Sequence, residues 1–213
     1  MFASIGLLKA LRPNPKGRAD SGKAPLRLES MPVSGFTGRP LSMVKIGATS
    51  ICAAPGRLYM QNHGGWADWT GPGGRGRISA VLRSDDYGRS RRSIAKGLPS
   101  DFGFPIVVHP HDADTVYVMP LEPMTRSCPG GAPAVWRSEN GGESWSRLAR
   151  GLPKKQSYFT VLRDAMDIDR LKAPALYFGT TTGQLWIGRE GGEQWDCLFD
   201  SLPPIHNVKV GVV

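Results

Sequence analysis

Three short signatures recur along this chain in one order and at nearly one period, and no other feature narrows its possible folds so far. Leu-Pro closes segments at Gly97-Leu98-Pro99, Gly151-Leu152-Pro153 and Ser201-Leu202-Pro203, 54 and 50 residues apart. Upstream of each lies a polar turn, SDDYGRSR (84–91), SENGGESW (138–145) or GREGGEQW (188–195), and the glycines Gly88, Gly142 and Gly192 keep the same two spacings. Further upstream come tyrosine-centred runs, Arg57-Leu58-Tyr59-Met60, Thr115-Val116-Tyr117-Val118 and Ala175-Leu176-Tyr177-Phe178. A period of this size marks a supersecondary unit that buries its apolar faces by stacking on its neighbours.

The content of one unit follows from strand propensity. In the third, Tyr158–Leu162, Ala175–Gly179, Gln184–Ile187 and Trp195–Phe199 are short β-rich runs bounded by Gly, Pro, Asp or Thr-Gly turns. Helical periodicity is confined to residues 5–11, and 27 Gly with 18 Pro in 213 residues suit many tight turns. Four antiparallel strands repeating every ~50 residues predict propeller blades. The expected fold is all-β: a partial β-propeller of about three four-stranded antiparallel blades plus a terminal strand, preceded by an irregular N-terminal extension.

The octapeptides resemble the Asp-box, the Ser-x-Asp-x-Gly-x-x-Trp motif of sialidase-like BNR-repeat propellers, and the resemblance covers residues 44–213. Ser84, Asp86 and Gly88 match in the first turn, where Arg91 replaces the tryptophan. Ser138, Gly142 and Trp145 match in the second, with Asn140 for aspartate, and Gly192 and Trp195 match in the third, with Gly188 and Glu190 for serine and aspartate. LPSDFGFPIVVHP, DADTVYV and YFGTTTGQLW are similar to bacterial proteins described as glycosyl hydrolases or exo-sialidases. The resemblance implies that each box is the rim hairpin between the third and fourth strands of a blade. The residue types suit a structural role there. Hydroxyl and carboxylate or amide oxygens accept turn N–H groups, glycine supplies a positive φ, and a buried tryptophan pins the hairpin for about 1.5–3 kcal/mol.

Ligand candidates come from unequal loops. Propeller loops joining strands two and three open on the ligand face, and two are long: Gln61–Trp69 with its Gly-rich continuation to Arg77, and Pro120–Pro129. The third unit has only Thr180–Gly183 there. Extra loop length is where repeat proteins place binding sites, which makes His63, Trp66, Asp68, Trp69, Glu122 and Arg126 the ligand-facing candidates. Trp66 and Trp69 could stack on a sugar while Arg126 holds an anion. The competing expectation is that these loops fold back over neighbouring blades.

Other chemistry finds little support. The family's sialidases use three arginines, a tyrosine–glutamate pair and an aspartic acid, and the arginine motif before the first box has no clear match. A glycosidase needs two carboxylates across the bond, and nothing fixes Glu122 and Asp68 together, so no catalytic residue is assigned. His109-Pro110-His111 reads as a turn, Arg163-Asp164 as a strand end and Lys154-Lys155 as solvated charge. Cys52, Cys128 and Cys197 lie far apart, without metal-ligand spacing. Such an odd, sparse set fits a reducing compartment, so a cytoplasmic location without metal or cofactor is expected. No run of 18 apolar residues occurs, so no membrane span is expected. The net charge is +9, with seven Lys or Arg against two acids in residues 1–43. Concentration in a tail argues against a nucleic-acid groove.

The organisation expected is a basic, disordered extension (1–43) and three blades (44–103, 104–157, 158–213), the last with a terminal strand from Asn207 to Val212. A closed ring needs at least four blades, so the chain reads as the C-terminal part of a longer propeller with open edges prone to self-association. No turnover is expected from the chain alone. The alternatives are a glycan- or protein-binding assembly module, or an exo-glycosidase once further blades complete it.

Overall fold

A computed structural model describes residues 3–9, 48–62, 69–71, 74–76 and 81–211. Strand β1 (Ala3–Lys9) comes first. The first blade contains β2 (Ala48–Ala54), β3 (Arg57–Asn62), β6 (Val81–Ser84) and β7 (Arg92–Ser93), with the hairpin β4 (Trp69–Gly71) and β5 (Gly74–Gly76) inserted after β3. The second is β8 (Gly103–Val108), β9 (Val116–Pro120), β10 (Val135–Ser138) and β11 (Ser146–Leu148). The third is β12 (Met166–Ile168), β13 (Leu176–Gly179), β14 (Leu185–Arg189) and β15 (Gln194–Phe199), followed by β16 (Ile205–Gly211). Every pairing inside the three blades is antiparallel.

The leading strands stack in sequence: β2 on β8, β8 on β12 and β12 on β16. Strand β16 therefore takes the first-strand place of a following blade, and Val208 N–H donates to the Asp164 carbonyl at 2.9 Å to fix it there. The chain is thus a partial β-propeller of three four-stranded blades plus a terminal strand.

Alternation along each strand gives a blade two apolar faces, and both are used. Val116 and Val118 of β9 bury with Ile106 against Tyr59, Val81 and Ile94 of the first blade. Tyr117 and Met119, their alternates, bury with Val135 and Leu148 against Leu176, Phe178, Trp186 and Trp195 of the third. The far face of the third blade, Tyr177, Leu185 and Ile187, is covered by Ile205 and Val208 of β16. Each fully buried side chain of this kind contributes about 1.5–3 kcal/mol, so stacking holds the blades together.

Ion pairs lock the first seam. Asp85 accepts from Arg57 Nε at 2.8 Å and Arg83 Nε at 3.0 Å, Arg57 also bonds Asp114, and buried Arg83 donates to the Gly141 carbonyl at 3.1 Å. Partial burial works against the Asp85 charge, but the two guanidiniums outweigh it and hold the carboxyl below its ordinary range. The second seam has Arg137, the residue in the place of Arg83, paired with Glu193 at 2.9 Å.

The three octapeptides lie between the third and fourth strands. In the first, Ser84 Oγ accepts from Gly88 N–H at 2.7 Å and donates to Asp86 Oδ1 at 2.8 Å. The other Asp86 oxygen accepts from the Ser90 hydroxyl at 2.6 Å. In the second, Ser138 Oγ accepts from Gly142 N–H at 2.7 Å while Asn140 Oδ1 accepts from Ser144 N–H at 3.0 Å. Gly88, Gly142 and Gly192 have φ of 82°, 93° and 93°, a region that side chains strain. The second and third hairpins also reach the blade before them: Trp145 Nε1 donates to Ile94 O and Trp195 N–H to Arg150 O, both at 2.8 Å.

Two elements differ from the sequence reading. The β-rich run Tyr158–Leu162 is no strand; β12 begins at Met166. Phe159 and Val161 are buried as a strand's would be, yet the run's backbone bonds go to loops. Thr160 O accepts from Thr181 N–H at 2.9 Å and Phe159 O from Cys128 Sγ at 3.3 Å. Within the stretch read as irregular, Ala3–Lys9 is a strand because β16 offers it a parallel partner, from Ala3 opposite Ile205 to Lys9 opposite Gly211.

Candidate functional site

Of the six ligand-facing candidates, His63, Trp66 and Asp68 lie outside the described residues. Trp69 opens β4, opposite Gly76 of β5, so the first insertion carries its own two-stranded hairpin. Glu122 and Arg126 lie in the second insertion, between β9 and β10, and their backbones meet: Arg126 N–H donates to Glu122 O at 2.7 Å. Arg126 has a φ of 54°, and both side chains are exposed.

This insertion is anchored. Leu121 N–H donates to Phe102 O at 2.8 Å, and Ser157 N–H donates to Gly131 O at 2.9 Å. The Thr160 hydroxyl donates to Arg126 O at 2.6 Å. Leu121, Ser127 and Cys128 are buried, and burial pushes the Cys128 thiol up to about 12. A thiol held neutral in this way is an unreactive packing group. The loop therefore covers the seam between the second and third blades with its buried residues while Glu122, Met124 and Arg126 point outward.

Two further outward residues belong to the same surface. Met124 is 81% exposed and Tyr158 66% exposed. The Tyr158 ring lies across Gly131, where an added Cβ would sit 2.8 Å from Cζ. Sequence reasoning placed Tyr158 in a strand and missed it. The available signal was Pro129-Gly130-Gly131, a side-chain-free stretch over which a ring can settle. The matching turn of the third blade is closed on itself, since Gln184 N–H donates to Thr180 Oγ1 at 2.9 Å and the Thr180 hydroxyl to Gln184 Oε1 at 2.6 Å.

At the opposite end of the second blade, His109 and His111 form a turn. His109 Nδ1 accepts from His111 N–H at 3.2 Å, and Asp112 closes the turn by accepting from the Thr115 hydroxyl at 2.6 Å. Among the described residues no group of three or more His, Cys, Asp or Glu could hold a metal ion.

No family model matches the chain, and no curated protein matches it. Solved structures with a similar chain path include an ancestral GH74 enzyme, at 14% identity and a TM-score of 0.49 over 70% of this chain and 18% of that one. The GH74 enzyme of Niastella koreensis is similar at 16% identity and a TM-score of 0.41, over 68% of this chain and 21% of that one. YCF48 bound to D1 peptide is similar at 14% identity and a TM-score of 0.38, over 72% and 41%. The chain spans less than half the length of each. At such identities the likeness concerns fold alone, and the propeller assignment rests on the strand order and stacking described above.

Proposed function

We propose that the chain is a segment of an Asp-box, sialidase-like propeller that works by binding a glycan on its strand-two-to-three loops. The observation that carries this reading is the Tyr158 ring, two-thirds exposed and set against Gly131, two residues before Thr160, whose hydroxyl donates to the Arg126 carbonyl. Such a ring offers an apolar face with a polar tip, and the exposed guanidinium of Arg126 in the adjoining loop suits a carboxylate-bearing sugar. Because the loop is anchored to the next blade, the platform is formed before a ligand arrives, which limits the ordering cost of binding.

Titration calorimetry of the full chain against sialylated and neutral oligosaccharides tests the reading. Tyr158→Ala is expected to weaken binding at least tenfold for all ligands, and Arg126→Ala only for the anionic ones. Equal affinity in wild type and Tyr158→Ala would overturn the assignment. Turnover is not part of the proposal, because hydrolysis needs paired carboxylates and residues 121–134 bring Glu122 alone. Release of chromophore from chromogenic sialosides would contradict it. A second reading, a polypeptide-binding module on the same face, is favoured by Met124, since a flexible, exposed thioether suits protein surfaces. Met124→Ala leaves glycan affinity unchanged on the first reading.

A further inference from the structure

The second and third blades each carry a filled seat, and the first carries the same seat open. A Cβ on Gly142 would lie 2.6 Å from Ile94, and one on Gly192 3.0 Å from Leu148, so each box glycine receives an aliphatic side chain of the blade before it. Those side chains are 2% and 6% exposed, whereas Leu198, at the same repeat position with no box glycine over it among the described residues, is 37% exposed. Ile94 serves the second box twice, since its carbonyl also accepts from Trp145 Nε1 at 2.8 Å. In the first box a Cβ on Gly88 would meet only Leu58 of its own blade, at 3.4 Å. Two replacements widen the place. Leu82 stands where Trp136 and Trp186 stand in the other blades, and Arg91 stands where Trp145 and Trp195 stand. Leu58, Met60, Leu82 and Gly88 therefore floor a cleft beside Arg91, whose exposed guanidinium has no partner among the described residues. Arg83 and Ser84 complete the wall and are already engaged, by Asp85 and by the Gly88 N–H.

From this cleft we infer that the first blade takes the C-terminus of a polypeptide that ends in an aliphatic residue. The filled second seat sets the pattern: one residue gives its side chain to the glycine and its own carbonyl to the last position of the box. A C-terminal leucine, isoleucine or valine meets both demands, with its side chain on Gly88 and its α-carboxylate on Arg91. An indole has a single N–H and suits a neutral peptide carbonyl, while a guanidinium offers a fork of donors that matches both oxygens of a carboxylate. The exchange of Trp for Arg thus turns the preferred group from an internal carbonyl into a chain end. A polypeptide is favoured over a free aliphatic acid, because the seat is a copy of two that already hold residues of a chain. The glycan reading uses Tyr158 and Arg126, so the two stand or fall separately.

Titration calorimetry of the full chain with the pentapeptide Gly-Gly-Ser-Gly-Leu, as free acid and as C-terminal amide, tests this. The acid is expected to bind about tenfold more tightly or better, and the difference should shrink at high salt as the exposed ion pair is screened. Arg91→Trp, which gives the first box the residue of the other two, should abolish that preference, and Arg91→Lys should retain part of it. Leu82→Trp should fill the cleft and remove binding of both forms with an unchanged circular dichroism spectrum. Equal affinity for acid and amide would overturn the inference and mark the face as one for an ordinary blade, which presents neutral carbonyls. The absence of saturable binding, an acid preference that survives Arg91→Trp, or isocaproate binding as tightly as the peptide would overturn it as well.

Discussion

The second and third hairpins close the same turn by different means. In the second, Ser138 and Asn140 gather the turn N–H groups, and half-buried Trp145 reaches outward to the Ile94 carbonyl. In the third, Gly188 and Glu190 stand in the places of Ser138 and Asn140, a 3-10 turn spans Glu190–Gly192, and Trp195 is 1% exposed. The replacements are linked. A Cβ on Gly188 would lie 2.7 Å from Trp195 Cη2, so the ring occupies the space a serine would need. One hairpin is held by polar atoms, the other by a buried ring, and the repeat tolerates either because each supplies about the same few kcal/mol.

Substitutions separate the two modes. Trp195→Ala should be the most costly, about 3–5 kcal/mol, while Trp145→Ala costs less because its ring is only half buried; urea melts of both compare them. Gly188→Ser, which gives the third hairpin the serine that Ser84 and Ser138 supply in the other two, should destabilise by about 1–3 kcal/mol through overpacking. If it stabilises instead, the ring is not what excludes the serine. Ser138→Ala, with no counterpart in the third hairpin, should cost about 1–3 kcal/mol by stranding the Gly142 and Asn140 N–H groups.

The first hairpin adds an acid-sensitive version of the polar mode. Bonds from the Ser90 hydroxyl and N–H, then from Ser84, hold the Asp86 carboxyl down at about 2. A depressed acid stabilises the fold above its unfolded value of about 4. That contribution falls away as pH drops through about 2. The Asp86 carboxyl carbon shift should titrate in that window, and Asp86→Asn, imitating Asn140, should remove the local acid response. The smallest effect expected is at Tyr87, whose φ of 59° matches the glycines Gly141 and Gly191 of the other hairpins. Tyr87→Gly should be neutral or stabilising by up to about 1 kcal/mol as strain relief offsets the unfolded-state entropy, read from the urea midpoint.

The candidate surface was only partly legible in sequence. Loop length pointed to Pro120–Pro129, and Glu122 and Arg126 do face outward there. Tyr158 could not be read in the same way, because its run has every local mark of a strand. The run's backbone partners, Cys128 and Thr181, and the Gly131 carbonyl that takes the preceding Ser157 N–H, lie far away in sequence, and a local pattern carries no information about them. Strand Ala3–Lys9 was missed for a related reason, since its partner begins at Ile205, at the other end of the chain.

By itself the sequence determined the repeat: three blades, the place of each hairpin, and the glycines that every turn requires. These follow from period-two alternation and from the left-handed φ that glycine alone adopts freely, and both are local properties. The tertiary structure alone decided which blade faces were covered. It also decided why Gly188 cannot be a serine and why Leu198 is exposed where Ile94 and Leu148 are not. Those outcomes depend on what the neighbouring blade places against each residue, and stacking becomes visible only when the blades are assembled.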